Sequence, residues 1–288
     1  MNNTSTSPFA TNRVIITRLV MIHCLLCLLL RAYSHTLPMQ LAQPVLTRAS
    51  YNITHLLYNI SGMGQLLTQH YVASVFFTVA LFAAVVLLFL FPRKSWLAIT
   101  FALLFLLLII TTNVYVDFNQ HYLFLLWIGV LPFCARRDST FGLLWEGARY
   151  YACWVYGSTF ILKLINGAMW QWDYGMMTMK EQIAEYVFLN PGTNLTALYT
   201  WLIRHPELVN IGQKLVFLAE GLFLAGFFTR KYDRLLIASG LIIFITTSLF
   251  ANVFFIEQLG IMIMLLLPSG QWVQWKNRFR KGQPVVSV

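Results

Sequence analysis

Long apolar runs alternate along the chain with short polar connections, and the runs have the length of membrane helices. Crossing the hydrocarbon core takes about 20 mostly apolar residues. Eight runs reach or approach this: roughly 14–33, 72–91, 95–116, 121–135, 149–166, 213–229, 234–253 and 255–268. The fourth and the last are short for a span. In 72–91 and 95–116, Leu, Phe, Ile and Ala occupy every face, as in a helix wrapped by lipid or by other helices. The expected fold is an all-α polytopic transmembrane bundle of about eight spans.

Composition points the same way. Of 288 residues, 58% are apolar and 10% are charged, against about a quarter charged in a soluble domain. That excludes a soluble enzyme. The net charge of +10 would suggest nucleic acid in a polar chain, but here its distribution reports orientation instead. Arg93 and Lys94, Arg136 and Arg137, Arg230, Lys231 and Arg234, and Lys276, Arg278, Arg280 and Lys281 follow alternate runs. Basic residues in short loops stay cytoplasmic, so both termini are expected inside. On this topology the inner segments carry +9, the outer segments −1, and the spans +2. The chain then divides into an N-terminal cytoplasmic tail (1–13), a membrane domain (14–268) with long outer segments at 34–71 and 167–212, and a basic cytoplasmic tail (269–288).

The first run has the apolar length of a signal peptide, but Arg31 follows it directly and no small-x-small cleavage site appears, so a retained helix is expected. Sequons at Asn52, Asn59 and Asn194 fall in the outer segments and matter only in a eukaryotic secretory pathway.

Few residues in this chain carry chemistry. Cys24 and Cys27 have redox-motif spacing but sit in an apolar helix without a charged neighbour, which reads as small buried hydrophobes. No pair of histidines has metal-ligand spacing, so no metal is expected. Ionisable residues within spans are costly and are functional candidates by default. Lys163 lies near the outer end of the fifth run, where a lysine can also snorkel to headgroups. Glu220 lies about seven residues into the sixth run and must be protonated, paired or facing a wet cavity. His121 opens the fourth run after Asp117 and Asn119, either of which could simply cap that helix. Trp170 and Trp172 in the second outer segment suit an interfacial belt or a lid over a membrane site.

Asn119-Gln120-His121-Tyr122-Leu123 resembles the Asn-Asn-His-x-Tyr-Leu segment of the vitamin K-dependent gamma-carboxylase and its bacterial HTTM-domain relatives. The stretch from Tyr156 to Leu164, with Trp170 or Trp172 and Gly175 after it, resembles that family's Tyr-x-x-(Ala)-Gly-x-x-Lys-Leu…Trp…Gly pattern. Ala219-Glu220-Gly221 and Arg18-Leu19 resemble an acidic and an arginine position of the same family, and the order is consistent from about Val14 to Pro268. The resemblance implies a reduced quinone as cofactor, vitamin K hydroquinone-like, with Lys163 as the base that deprotonates it. His121 would position or polarise the quinol or an oxygen species, and Glu220 would shape the pocket or relay a proton. Asn119, Trp170 and Trp172 would lie around the cofactor. The family's histidine in the penultimate helix has no counterpart among Thr246, Thr247, Ser248 and Asn252. Nor does the chain offer the luminal region with which the animal carboxylase binds its protein substrate, so peptide carboxylation is not expected. Two functions stay open: a quinol-dependent membrane enzyme, and a non-catalytic HTTM-like subunit or scaffold of a membrane complex. The expected partners are the bilayer and a membrane protein, with no nucleic acid, and the short loops suggest a bacterial inner membrane.

Overall fold

A computed structural model describes residues 8–41, 53–115, 121–251 and 255–267. All regular elements among the described residues are helical. Five stretches are long and apolar enough to cross a membrane: Asn12–Gln40, Tyr71–Leu90, Ser95–Tyr115, Pro206–Phe227 and Asp233–Phe250. Leu123–Cys134 and Ile256–Leu266 are shorter apolar helices. These features make the chain a multi-pass membrane protein.

The chain divides into two compact units, residues 1–148 with 267–288, and Arg149–Leu266. In the first, α1 (Pro8–Tyr33) packs on α4 (Tyr71–Leu90), and α4 packs on α5 (Ser95–Tyr115). Two short helices of the segment expected at 34–71, α2 (Ile53–Ile60) and α3 (Met63–Gln69), lie against α5 and α4 respectively. Pro92 cannot continue α4, so the chain turns there before α5 begins at Ser95. Tyr58 of α2 shares a 2.6 Å hydrogen bond with Thr111 of α5. Burial pushes its phenol up to about 12, against a smaller downward pull from that bond. α6 (His121–Val130) ends in a tight turn of helix at Leu131–Cys134. The buried Arg13 of α1 donates to the carbonyls of Phe133 (3.2 Å) and Ala135 (2.5 Å) and to Asp138 (3.2 Å), the first residue of α7 (Asp138–Ile165).

The second unit holds the rest of α7, then α8 (Tyr174–Leu189), α9 (Asn194–Arg204), α10 (Pro206–Leu222), α11 (Asp233–Ala251) and α12 (Ile256–Leu266). α10 packs on α8 and α11, and α11 on α12. The outer segment expected at 167–212 is therefore helical through most of its length. Met176, Met179, Ile183, Tyr199, Leu202 and Val209 form its own small core. Thr193 caps α9 by accepting from the Thr196 amide at 3.2 Å, after a Pro191-Gly192 turn in which Gly192 has φ 84°.

The sixth helix begins at Pro206, seven residues before the expected 213. Proline in the first turn has a pre-set φ and needs no N–H there, and the acidic Glu207 suits the helix start. Glu220 consequently lies two turns deeper along its helix than the sequence spacing implied.

A buried arginine ties α7 to α11. Arg149 Nη2 and Nε donate to Asp233 Oδ1 (2.5 Å) and Oδ2 (3.2 Å), while Nη1 donates to the carbonyl of Gly226 (3.0 Å) and Nη2 also to that of Thr229 (3.2 Å). Both side chains are 1–2% exposed. Asp233→Asn strands a buried guanidinium and should cost about 3–5 kcal/mol, whereas replacing both partners, Arg149→Met with Asp233→Leu, should cost less. Thermal unfolding in detergent measures both, and an Asp233→Asn variant as stable as the parent would contradict the fully buried geometry.

Candidate functional site

Two glycines leave room for side chains around this part of α7. A Cβ at Gly157 would come within 2.7 Å of the Leu224 side chain, just past the end of α10, and one at Gly221 of α10 within 3.1 Å of the Phe160 ring of α7. Lys163, in the last turn of α7, lies against Glu220 on α10.

Lys163 is paired with a carboxylate. Its Nζ donates to both oxygens of Glu220, at 2.6 and 2.8 Å. The Glu220 side chain is 6% exposed and that of Lys163 22%, so the carboxylate is sealed while the lysine side chain is partly exposed. A lysine has three N–H donors, and the carboxylate takes two of them. The ammonium also sits 4.8 Å from the centroid of the Phe217 ring, one turn before Glu220 on α10. Phe217 is fully buried, and Tyr174 packs against it at 5.9 Å. The apolar neighbours exclude water and strengthen the charge interaction.

Lys214 is a second cation on the same ring, 5.5 Å from the Phe217 centroid. Its three donors go to the carbonyls of Ala168 (3.4 Å), Met169 (2.6 Å) and Gln171 (2.6 Å). These carbonyls belong to the turn after α7, which carries both tryptophans. Trp172 Nε1 donates to Glu207 at 3.0 Å, which ties the turn to the start of α10. Trp170 is 76% exposed. The tryptophans therefore belong to a turn pinned beside the Lys163–Glu220 pair.

His121 is the first residue of α6, in the first unit, while Lys163, Glu220, Trp170 and Trp172 lie in the second. Asn119, Asp117 and Asn252 lie outside the described residues. Cys24 and Cys27 are both buried. Among the described residues, no three His, Cys, Asp or Glu side chains are grouped to hold a metal ion.

Sequence reasoning paired Lys163 with Glu220 only through the family resemblance, and it missed Lys214 and the Arg149–Asp233 pair. An arginine inside a span demands a partner. That rule, applied to Arg149, would have directed attention to the acidic Asp233. Lys214 gave no comparable signal, because its partners are backbone carbonyls.

Lys214→Met removes the donor to three carbonyls of the tryptophan-bearing turn. Amide exchange at 168–173 should rise about tenfold or more, since fewer groups oppose local opening. Hydrogen-exchange mass spectrometry of the membrane-embedded protein measures it, and unchanged protection there would contradict the pinning role. Comparison with protein-family models, curated proteins and solved structures gave no match to the chain.

Proposed function

We propose that the protein is a membrane enzyme resembling the membrane domain of the vitamin K-dependent gamma-carboxylase, with Lys163 and Glu220 as the acid–base couple of a quinol site in the outer half of the membrane. The single observation that supports this most is the pair itself, a sealed carboxylate taking two donors of a lysine whose side chain stays partly exposed. In this reading the chain crosses the membrane about eight times, with both termini in the cytoplasm of a bacterial cell. The runs at 121–135, 149–166 and 255–268 supply the spans beyond the five long apolar helices.

A bound quinol supplies acidic hydroxyls and reducing electrons, on a flat apolar ring that suits an aromatic, lipid-accessible setting. The protein's own residues handle the proton. An ammonium hydrogen-bonded to a carboxylate has no lone pair to offer. When one proton moves along the 2.6 Å contact from Lys163 Nζ to Glu220, the pair becomes an amine and a carboxylic acid. The amine can then take a proton from a hydroxyl placed beside it. In low dielectric the neutral and charged forms of such a pair are close enough in energy for a ligand to select between them. Lys214 and Glu207 hold the Trp170 and Trp172 turn beside this site, which limits entry of water. The roles of His121 and Asn119 rest on the family resemblance alone.

One observation favours a second reading, a non-catalytic scaffold. The Lys163–Glu220 bonds also tie α7 to α10, and such contacts between membrane helices are worth about 1 kcal/mol. Turnover separates the two. With a short-chain hydroquinone, dioxygen as the electron acceptor and membranes containing the full chain, wild type should oxidise the hydroquinone, and Lys163→Met should lower the rate about 10²–10⁴-fold, the usual weight of a general base. Wild-type membranes with no turnover favour the scaffold, and an unchanged Lys163→Met rate removes Lys163 as the base.

A further inference from the structure

One cation of the first unit has no carboxylate to answer it. Arg18 lies within the apolar stretch Asn12–Gln40, and its side chain is exposed. Its guanidinium sits 5.8 Å from the centroid of the Phe89 ring, in the last turn of α4. That contact orients the group and leaves its five N–H donors for another partner. Among the described residues Arg18 makes no ion pair, and the nearby Asp138 is taken by Arg13. An arginine inside a span ordinarily faces the interior and is paired. Arg18 is neither, so it calls for an anion from outside the chain.

Two more cations lie at the same end of the first unit. The Ala135 carbonyl accepts from Arg13 of α1 (2.5 Å) and from the hydroxyl of Ser95, the first residue of α5 (3.0 Å). These bonds set the turn before Ser95, with its exposed Arg93 and Lys94, level with Arg13. Arg18 follows five residues, about 7 Å, further along α1. Neither Arg93 nor Lys94 has an acidic partner among the described residues. Trp96 beside them is exposed, as suits the headgroup level. Away from this rim the exposed face of α1 is apolar. Ile22, Leu26 and Leu29 continue from Arg18 at helical spacing, and all three are exposed. Cations at the rim above an apolar stripe match an amphiphile with a negative head.

We propose that this end of the first unit binds one anionic phospholipid, with its phosphate on Arg18, Arg93 and Lys94 and an acyl chain along Ile22, Leu26 and Leu29. The planar guanidinium matches two phosphate oxygens. The two turn cations add attraction that grows with the negative charge of the head, so a zwitterionic lipid is held less well. The apolar stripe gives a lipid contact area that a soluble phosphate lacks. The lipid then does for Arg18 what Asp233 does for Arg149: it supplies the missing negative charge. The inference is independent of the acid–base reading of Lys163 and Glu220.

Native mass spectrometry of the full chain in mixed micelles counts the bound lipids directly. Wild type should retain one phosphatidylglycerol about tenfold or more in preference to phosphatidylcholine with the same acyl chains. Arg18→Gln should lower that preference about fivefold, the weight of one basic residue at an anionic lipid surface. Arg93→Gln with Lys94→Gln should lower it at least as much, which keeps the test available if Arg18→Gln does not accumulate. Lys231→Gln removes one charge from the second unit and should leave the preference unchanged. Since Arg18 has no acidic partner in the chain, Arg18→Gln should unfold like the parent in lipid-free detergent, yet gain less stability from added phosphatidylglycerol. Equal retention of the two lipids by wild type overturns the site, as does a Lys231→Gln effect as large as that of Arg18→Gln. Displacement of the bound lipid by millimolar glycerol phosphate would make the occupant a soluble phosphate and overturn the assignment of a lipid.

Discussion

Charge inside an apolar bundle must be neutralised by a named neighbour, and that requirement organises this protein. Only 10% of its residues are charged, so each ionisable group on a buried helix face has few candidate partners. Three cations meet the requirement. Arg13 is held by Asp138 and two carbonyls, Arg149 by Asp233 and two carbonyls, and Lys163 by Glu220 alone. The first two are arginines fixed in fork geometry, permanently charged and nearly without exposed surface. They work as bolts between helices.

Lys163 differs from both arginines in ways that bear on function. A lysine can give up its proton, its side chain stays partly exposed, and the carboxylate takes two of its three donors. Close by, Gly157 and Gly221 leave room for the Leu224 and Phe160 side chains. Lys214 and Glu207 then fix the adjoining turn through backbone carbonyls and the Trp172 indole. Packing, electrostatics and site architecture therefore converge on one short length of two helices.

Much of this was legible in the order of residues. The apolar runs translated directly into helices, because hydrophobic length is a strong signal and few other structures satisfy the backbone in lipid. Lys163 and Glu220 stood out because ionisable residues are rare in such runs. Helix starts were less visible. Pro206 opens α10 in a stretch too polar to read as a span, so the distance of Glu220 from the start of its helix was underestimated. Long-range partners were the least legible. Asp233 and Arg149 are 84 positions apart, and Lys214 finds carbonyls, which every residue possesses.

The central claim is that Lys163 and Glu220 form an energetically coupled pair within the second unit. A double-mutant cycle in detergent, built from Lys163→Met, Glu220→Leu and both together, measures that coupling most directly. A genuine pair predicts that each single change destabilises, because each leaves a charge buried without its partner, and that the double variant recovers a large part of the loss, with a coupling of about 1 kcal/mol or more. Single effects that simply add would contradict the pairing.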